Sequence, residues 1–144
     1  HYVDSKVEGT LVTYAPVFTA KNTKFYQTSP DNYNIHIYTE GSVHLENCKF
    51  YCEGKSIYAH HDTAASEYSI SIKDCEFSAN QTVSGKAAIQ LHTEYGIHGT
   101  LDIISCTATG FDTSINGGLW NELNNSTKVP TNNFVKTVDG VQQN

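Results

Sequence analysis

Tyrosine, histidine and carboxylate side chains recur at matching positions of three short segments. Segments 35–38, 57–60 and 89–92 align with one another, and each is followed two residues later by an acidic residue. The aligned positions hold His36, Tyr58 and Gln90, then Tyr38, His60 and His92, then Glu40, Asp62 and Glu94. Because side chains alternate along a strand, we expect these residues to share one outward face.

Such a face suits three kinds of role. Aromatic rings take the apolar face of a pyranose, and fixed polar groups bond its hydroxyls. Two His with a carboxylate can bind a metal, but a flat ladder rarely closes around an ion, so we predict no metal and no cofactor. The third role is that of an ordinary solvated sheet face. The candidate ligand-binding residues are Tyr38, Tyr58, His60, His92, Glu40, Asp62 and Glu94.

Catalysis by this face would depend on its carboxylates. Asp62 with Glu94, or Glu40 with Asp62, could act as an acid and base pair, and the separation of the two carboxyls would decide the mechanism. Elsewhere the sequence has no Gly-rich phosphate loop and no supported Ser-His-Asp arrangement. No catalytic residue is assigned from the sequence.

The elements that must position this face belong to a repeat. Segment 43–50, Val-His-Leu-Glu-Asn-Cys-Lys-Phe, recurs imperfectly at 70–77 and 101–108, and a degenerate copy stands at 18–25. The copies lie 25, 27 and 31 residues apart, and such periods are typical of repeat architectures. The residues predicted to be buried in columns are Val43, Leu45, Cys48, Phe50, Ile70, Ile72, Cys75, Phe77, Leu101, Ile103 and Cys106.

A corner interrupts each copy of the repeat. Val43 and Leu45 share one strand face, yet Cys48 and Phe50 form the next inward pair, so the alternation slips by one residue at Asn47. Asn and Asp tolerate the left-handed conformation, and Asn, Asp and Ser side chains can bond nearby backbone. The corner positions are predicted to be Asn22, Asn47, Asp74 and Ser105.

Three of the four cysteines occupy one repeat position. Cys48, Cys75 and Cys106 would stack with Cβ atoms about 4.8 Å apart, wider than the roughly 3.8 Å of a disulfide. We predict reduced, buried thiols that behave as small hydrophobes. A line of ligands does not form a tetrahedral metal site. Cys52 is predicted to be a loop thiol.

Three strands per coil, about 25 residues per coil and an Asn-type corner resemble the right-handed parallel β-helix of the pectin-lyase-like superfamily. The resemblance covers roughly residues 10–120. It implies an all-β solenoid whose third sheet and flanking loops form a polysaccharide groove, here carrying Tyr, His, Gln and carboxylates. The chain departs from the family's enzymes, because it has no Arg to serve as a lyase base and no Lys on the predicted groove strand. The inward Asp cluster expected of polygalacturonase-like hydrolases is also absent from the sequence.

Composition narrows the classes of partner. The chain has 144 residues and a net charge of −6, and its nine basic residues are all Lys. Nucleic-acid binding normally needs a basic face and favours Arg, so we expect none. No apolar run approaches the roughly 20 residues of a membrane span, and the chain contains no Met. We expect a processed product or a module of a larger secreted or cell-surface protein, by analogy bacterial or from a phage.

Length predicts one domain. The expected division is an N-terminal cap over 1–9, coils over 10–120 and a C-terminal cap over 121–144. Our first functional reading is a non-catalytic module that presents a glycan-binding or adhesive face. The alternatives are a small polysaccharide-active enzyme, either a lyase or a glycoside hydrolase, and a structural spacer or phage-fibre segment.

Overall fold

Each coil of the chain adds one strand to each of three sheets, and the chain thereby forms a parallel β-helix. A computed structural model describes residues 1–38, 40–61, 66–92, 97–123 and 134–144. Sheet A contains β1 (Tyr2–Val3), β4 (Val17–Lys21), β7 (Gly41–Glu46), β10 (Glu67–Lys73), β13 (His98–Ile104), β16 (Phe134–Val138) and β17 (Val141–Gln143). Sheet B contains β2 (Lys6–Glu8), β5 (Lys24–Tyr26), β8 (Lys49–Cys52), β11 (Glu76–Val83) and β14 (Thr107–Phe111). Sheet C contains β3 (Leu11–Thr13), β6 (Ile35–Ile37), β9 (Ile57–Ala59), β12 (Ile89–His92) and β15 (Trp120–Leu123).

The core consists of columns of equivalent residues. Val43, Ile70 and Leu101 lie in register along sheet A and are buried. In sheet B the rings of Phe25, Phe50 and Phe77 stack with centroid separations of 4.8 and 4.7 Å. This is about the spacing of neighbouring strands, so like side chains fill the core layer by layer. The predicted β-helix and its buried columns are confirmed, except that Cys106 is only half-buried.

The corner between sheets A and B is left-handed in every copy of the repeat. Asn22, Asn47, Asp74 and Ser105 have φ values of 51°, 51°, 52° and 52°, which confirms the predicted corner. Asp4, with φ of 48°, forms an earlier corner of the same kind that the sequence did not reveal. Asp139, with φ of 49°, takes this conformation in the turn between β16 and β17. The Asn side chains also bond along the stack, since Asn47 Nδ2 donates to Asn22 Oδ1 at 2.8 Å.

The residue after each corner closes the bend from within its own coil. Thr23 Oγ1 donates to the carbonyl of Lys21 at 2.9 Å, and Ser5 Oγ donates to that of Val3 at 2.8 Å. Each cysteine of the stack makes the same bond to the carbonyl two residues earlier, at 3.2–3.3 Å. A short donor side chain is therefore what this position requires, which explains why Ser, Thr and Cys alternate there.

All four cysteines are free thiols, as predicted. Cys48 and Cys75 are buried, and Cys75 Sγ lies 3.4 Å from the backbone nitrogen of Cys48. The prediction of a loop thiol at Cys52 is wrong. Cys52 is the last residue of β8 and is buried, because the strand continues inward beyond Phe50 for two more residues.

Strands also occupy the described residues at both ends of the chain. Residues 1–9 contain β1 and β2, which pair with β4 and β5 and extend the coils to the start of the chain. At the other end β15 begins at Trp120, which is buried, and pairs with β12. Lys136 of β16 also points inward, and its Nζ lies 2.9 Å from Glu122 Oε2 and 5.2 Å from the Trp120 ring centroid. Lys136 thus takes the place of the apolar residue in the column that contains Leu101, while Trp120 and Phe134 remain buried in the same coil. The next strand, β17, pairs antiparallel with β16.

Candidate functional site

Sheet C brings five of the aligned residues into contact, namely His36, Tyr38, Tyr58, His60 and His92. Its inward positions hold Ile35, Ile57 and Ile89, whose branched side chains favour strands and are fully buried. The residues one step along, His36, Tyr58 and Gln90, are register partners across β6, β9 and β12. The strand register therefore fixes the outward face on which ligand contacts were predicted.

The outward face carries a cluster of aromatic side chains in mutual contact. We call it the sheet C cluster, and its members are Tyr14, Tyr33, His36, Tyr38, Tyr58, His60, His61 and His92. Tyr33 and Tyr58 stack at 4.4 Å between centroids, with 10° between ring planes. His60 and His92 stack at 4.4 Å and 19°. The two stacked pairs are joined by a hydrogen bond of 2.7 Å between Tyr58 Oη and His92 Nδ1.

Stacking decides which ring atoms of the cluster a ligand can reach. The paired rings of Tyr33 and Tyr58, and of His60 and His92, cover part of each other's faces. All four residues are half-buried, and their polar atoms are the tyrosine hydroxyls and the imidazole nitrogens. Tyr14, which is 63% exposed, still offers ring surface beside Tyr38 at 5.2 Å. The cluster can therefore donate and accept hydrogen bonds along its length and stack a ligand at one end.

The structure brings together four of the predicted site residues. Tyr38, Tyr58, His60 and His92 all belong to the sheet C cluster. Glu40 lies apart from them on a neighbouring groove. Asp62 and Glu94 lie outside the described residues.

Gln90, expected on the outward face, is 1% exposed. Its amide nitrogen is 3.4 Å from the carbonyl of Ala87. Strand alternation fixes the side on which a residue lies but not how deeply other segments cover it, so Gln90 is not available to a ligand.

A groove of about 680 Å³ adjoins the cluster where sheet C leads into sheet A. Its lining includes two carboxylates, Glu40 and Glu67, and the residues Gly41, Tyr68 and Gly99. Tyr68 is buried, and its register partners are Gly41 and Gly99. A side chain at Gly41 would meet the backbone of Pro16, and one at Gly99 would meet the backbone of Tyr68. Its hydroxyl donates to the carbonyl of Tyr38 at 3.3 Å, which links the groove to the cluster. Burial raises the pKa of Tyr68 to about 12.

Sequence reasoning missed several members of this region. Tyr14 follows β3 as Tyr38 follows β6, so extending the alignment to the first coil would have found it. Tyr33 reaches the face from a loop, and no periodic signal marks it. Burial raises the pKa of Tyr33, and Lys55 Nζ lies 5.3 Å from its ring centroid. Glu67 begins β10, ahead of the repeat copy at 70–77, so the alignment did not reveal that it shares a groove with Glu40.

Two structural features are absent from the part of the chain that the structure describes. Within those ranges no three His, Cys, Asp or Glu side chains are arranged to hold a metal ion. Nor does any helix there have the length and apolar character needed to cross a membrane.

Comparison of the chain with protein-family models, with curated proteins and with solved structures finds no match. A function therefore has to follow from the geometry of the site itself.

Proposed function

We propose that the chain is a non-catalytic β-helix module that binds glycans through the sheet C cluster. It would belong to a larger secreted or cell-surface protein, in keeping with its resemblance to the pectin-lyase-like superfamily. The observation that carries the proposal is the convergence of eight aromatic side chains on one sheet face. Hydroxyls and ring nitrogens at successive strands match the repeated hydroxyls of a sugar chain.

The other outward faces support this choice by contrast. Sheet B carries Lys49 paired with Glu76 at 2.9 Å, and sheet A carries Lys21 paired with Glu46 at 3.0 Å. Exposed ion pairs of this kind contribute little to the stability of the fold and are typical of solvated surfaces. Sheet B also has one stacked tyrosine pair, Tyr26 and Tyr51, at 4.8 Å. That pair provides a matched control, since it reproduces the stacking without the surrounding imidazoles.

A glycan array followed by titration of any hit tests the proposal. Binding should be weak, roughly micromolar to millimolar, because an open face buries little of a ligand and ordering the sugar costs free energy. Tyr58→Ala should weaken binding at least about tenfold, since Tyr58 contacts four other rings of the cluster. Tyr51→Ala should leave the affinity unchanged. Equal losses from the two variants, or no glycan bound at all, would remove the proposal.

A polysaccharide-active enzyme is the second candidate, favoured by Glu40 and Glu67 at one groove beside the cluster. Two carboxylates flanking a bound sugar could act as acid and base. Product analysis on any bound glycan tests this reading. Cleavage that is lost in both Glu40→Gln and Glu67→Gln, with binding retained, would establish the enzyme. A glycan that is bound but not cleaved would instead support the non-catalytic binding module.

A further inference from the structure

The groove beside the sheet C cluster carries negative charge that the chain itself does not balance. Its volume of about 680 Å³ is in the range of ligand sites, and the charged residues of its lining are Glu40 and Glu67. Both carboxylates are exposed. Among the residues that the structure describes, neither carboxylate has a hydrogen-bond or ion-pair partner.

The other glutamates in the described ranges are all paired. Four of them lie 2.6–3.0 Å from a lysine Nζ, namely Glu8, Glu46, Glu76 and Glu122. The fifth, Glu53, accepts from Asn80 Nδ2 at 2.6 Å. The two glutamates that lack a partner in this part of the chain therefore lie in one groove, where a bound cation could supply it.

The segments that lead into the groove have the same sign of charge. The connections from sheet C to sheet A after β6, β9 and β12 contain three carboxylates, two imidazoles and no Lys. Imidazoles there, and His98 as register partner of Glu67, gain positive charge only as the pH falls. Lys55 contacts Tyr33 of the cluster, but it precedes β9, whereas the groove follows the sheet C strands. At neutral pH the groove therefore attracts cations and repels anions.

The groove can hold a sugar unit as well as a charge. Ser42, Ser69 and Thr100 are register partners in its lining, so their hydroxyls recur on successive strands about 4.8 Å apart. The hydrogen bond from Tyr68 to the carbonyl of Tyr38 joins the groove to the cluster. A glycan on the cluster can therefore continue into the groove and bond its hydroxyls there.

We infer that the glycan bound by this face is basic, with amino sugars whose ammonium groups pair with Glu40 and Glu67. The inference rests on the glycan-binding function proposed above. An ammonium group offers three donors to the two acceptors, whereas a uronate would bring like charge into the groove. Within the described ranges no third metal ligand joins the two carboxylates, which favours an ammonium group over a metal ion.

Two oligosaccharides that differ only in charge test the inference. They are a tetramer of N-acetylglucosamine and the same tetramer after de-N-acetylation, each titrated calorimetrically into the intact chain. At about pH 6.5 the free amines are positive and ordinary carboxylates negative. The amino tetramer should bind about fivefold more tightly or better, the effect of two exposed ion pairs. Raising the ionic strength from about 0.05 to about 0.5 M should reduce this preference, because salt screens exposed charges.

Single substitutions assign the preference to the groove. Glu40→Gln and Glu67→Gln should each lower the affinity for the amino tetramer about two- to threefold and leave that for the acetylated tetramer unchanged. Glu76→Gln removes the same charge from sheet B and should change neither affinity. Tyr58→Ala should weaken the binding of both tetramers, since the cluster contacts the sugar whatever its charge.

Three results would overturn the inference. Two are equal affinity for the two tetramers and a preference that survives in both groove variants. The third is a lysine tripeptide that binds as tightly as the amino tetramer without dependence on Tyr58, which would assign the groove to basic peptides. Glycan binding that Tyr58→Ala weakens would still support the proposed function in each case, so the two failures are distinguishable.

Discussion

Removal of the middle ring of the phenylalanine stack tests the layered core most directly. Phe50 is fully buried and stacks on Phe25 from one side and Phe77 from the other, at 4.8 and 4.7 Å. Phe50→Ala should lower the free energy of unfolding by about 3–5 kcal/mol, the usual cost of truncating a buried Phe. Phe77 has a ring on one side only and Ala108 as its other register partner. Phe77→Ala should therefore lower the free energy of unfolding by less than Phe50→Ala does, and the difference should be roughly the 0.5–1.5 kcal/mol of one ring contact.

Urea denaturation followed by circular dichroism measures both differences on one scale. Tyr51→Ala is the control, because Tyr51 is the next residue along the chain but faces outward, is 36% exposed and has one stacked partner. Tyr51→Ala should lower the free energy of unfolding by about 1 kcal/mol or less. If Phe50→Ala cost no more than Tyr51→Ala, or less than Phe77→Ala, the ring columns would not be what stabilises the coils.

Three further outcomes follow from the corner, the thiols and one buried phenol. Asn47→Gly should lower the free energy of unfolding, measured by urea denaturation, by under about 1 kcal/mol. Asn47→Val should lower it by about 1–2 kcal/mol more, because φ is 51° at this position. Equal losses would contradict a left-handed corner at Asn47. Thiol titration should release four thiols after denaturation without reductant, and native Cys52 should stay unreactive, since burial raises the pKa of its thiol. Burial raises the pKa of Tyr68 to about 12, above the roughly 10 of an unfolded chain. The unfolded state therefore loses this proton first, and stability present below about pH 10 should fall between about pH 10 and 12, a fall that Tyr68→Phe should reduce in urea titrations.

The coil architecture was predictable because its determinants are local. The phase slip at Asn47 and the shared position of Cys48 and Cys75 follow from alternation and from conformational preference alone. The first coil was missed because its corner, Asp4, is followed by Ser5 and Val7 in place of the Cys and Phe of the later copies. The hydrogen bond from Ser5 to the carbonyl of Val3 shows that the same bend forms with different residues.

The candidate site was predictable only in part, because it depends on contacts between segments distant in sequence. Strand alternation placed Tyr58 and His92 on one face, and their hydrogen bond confirms that they meet. It could not reveal that Tyr33 arrives from a loop to stack on Tyr58, nor that Gln90 is covered. Those features depend on the path of whole loops, which carries no periodic signal.

The bend within each coil has a consequence for how such a chain can change its length. Thr23, Cys48 and Cys75 each bond the carbonyl two residues earlier in their own coil. Bonds between coils join equivalent corners, as Asn47 joins Asn22. An entire coil can thus be excised or duplicated between two corners without disturbing the bends that remain. A one-residue insertion within a strand would instead shift inward residues outward, whereas the spacings of 25, 27 and 31 residues show that the loops accommodate insertions. Recombination would therefore yield folded homologues that differ in their number of complete coils and retain the first and last coils.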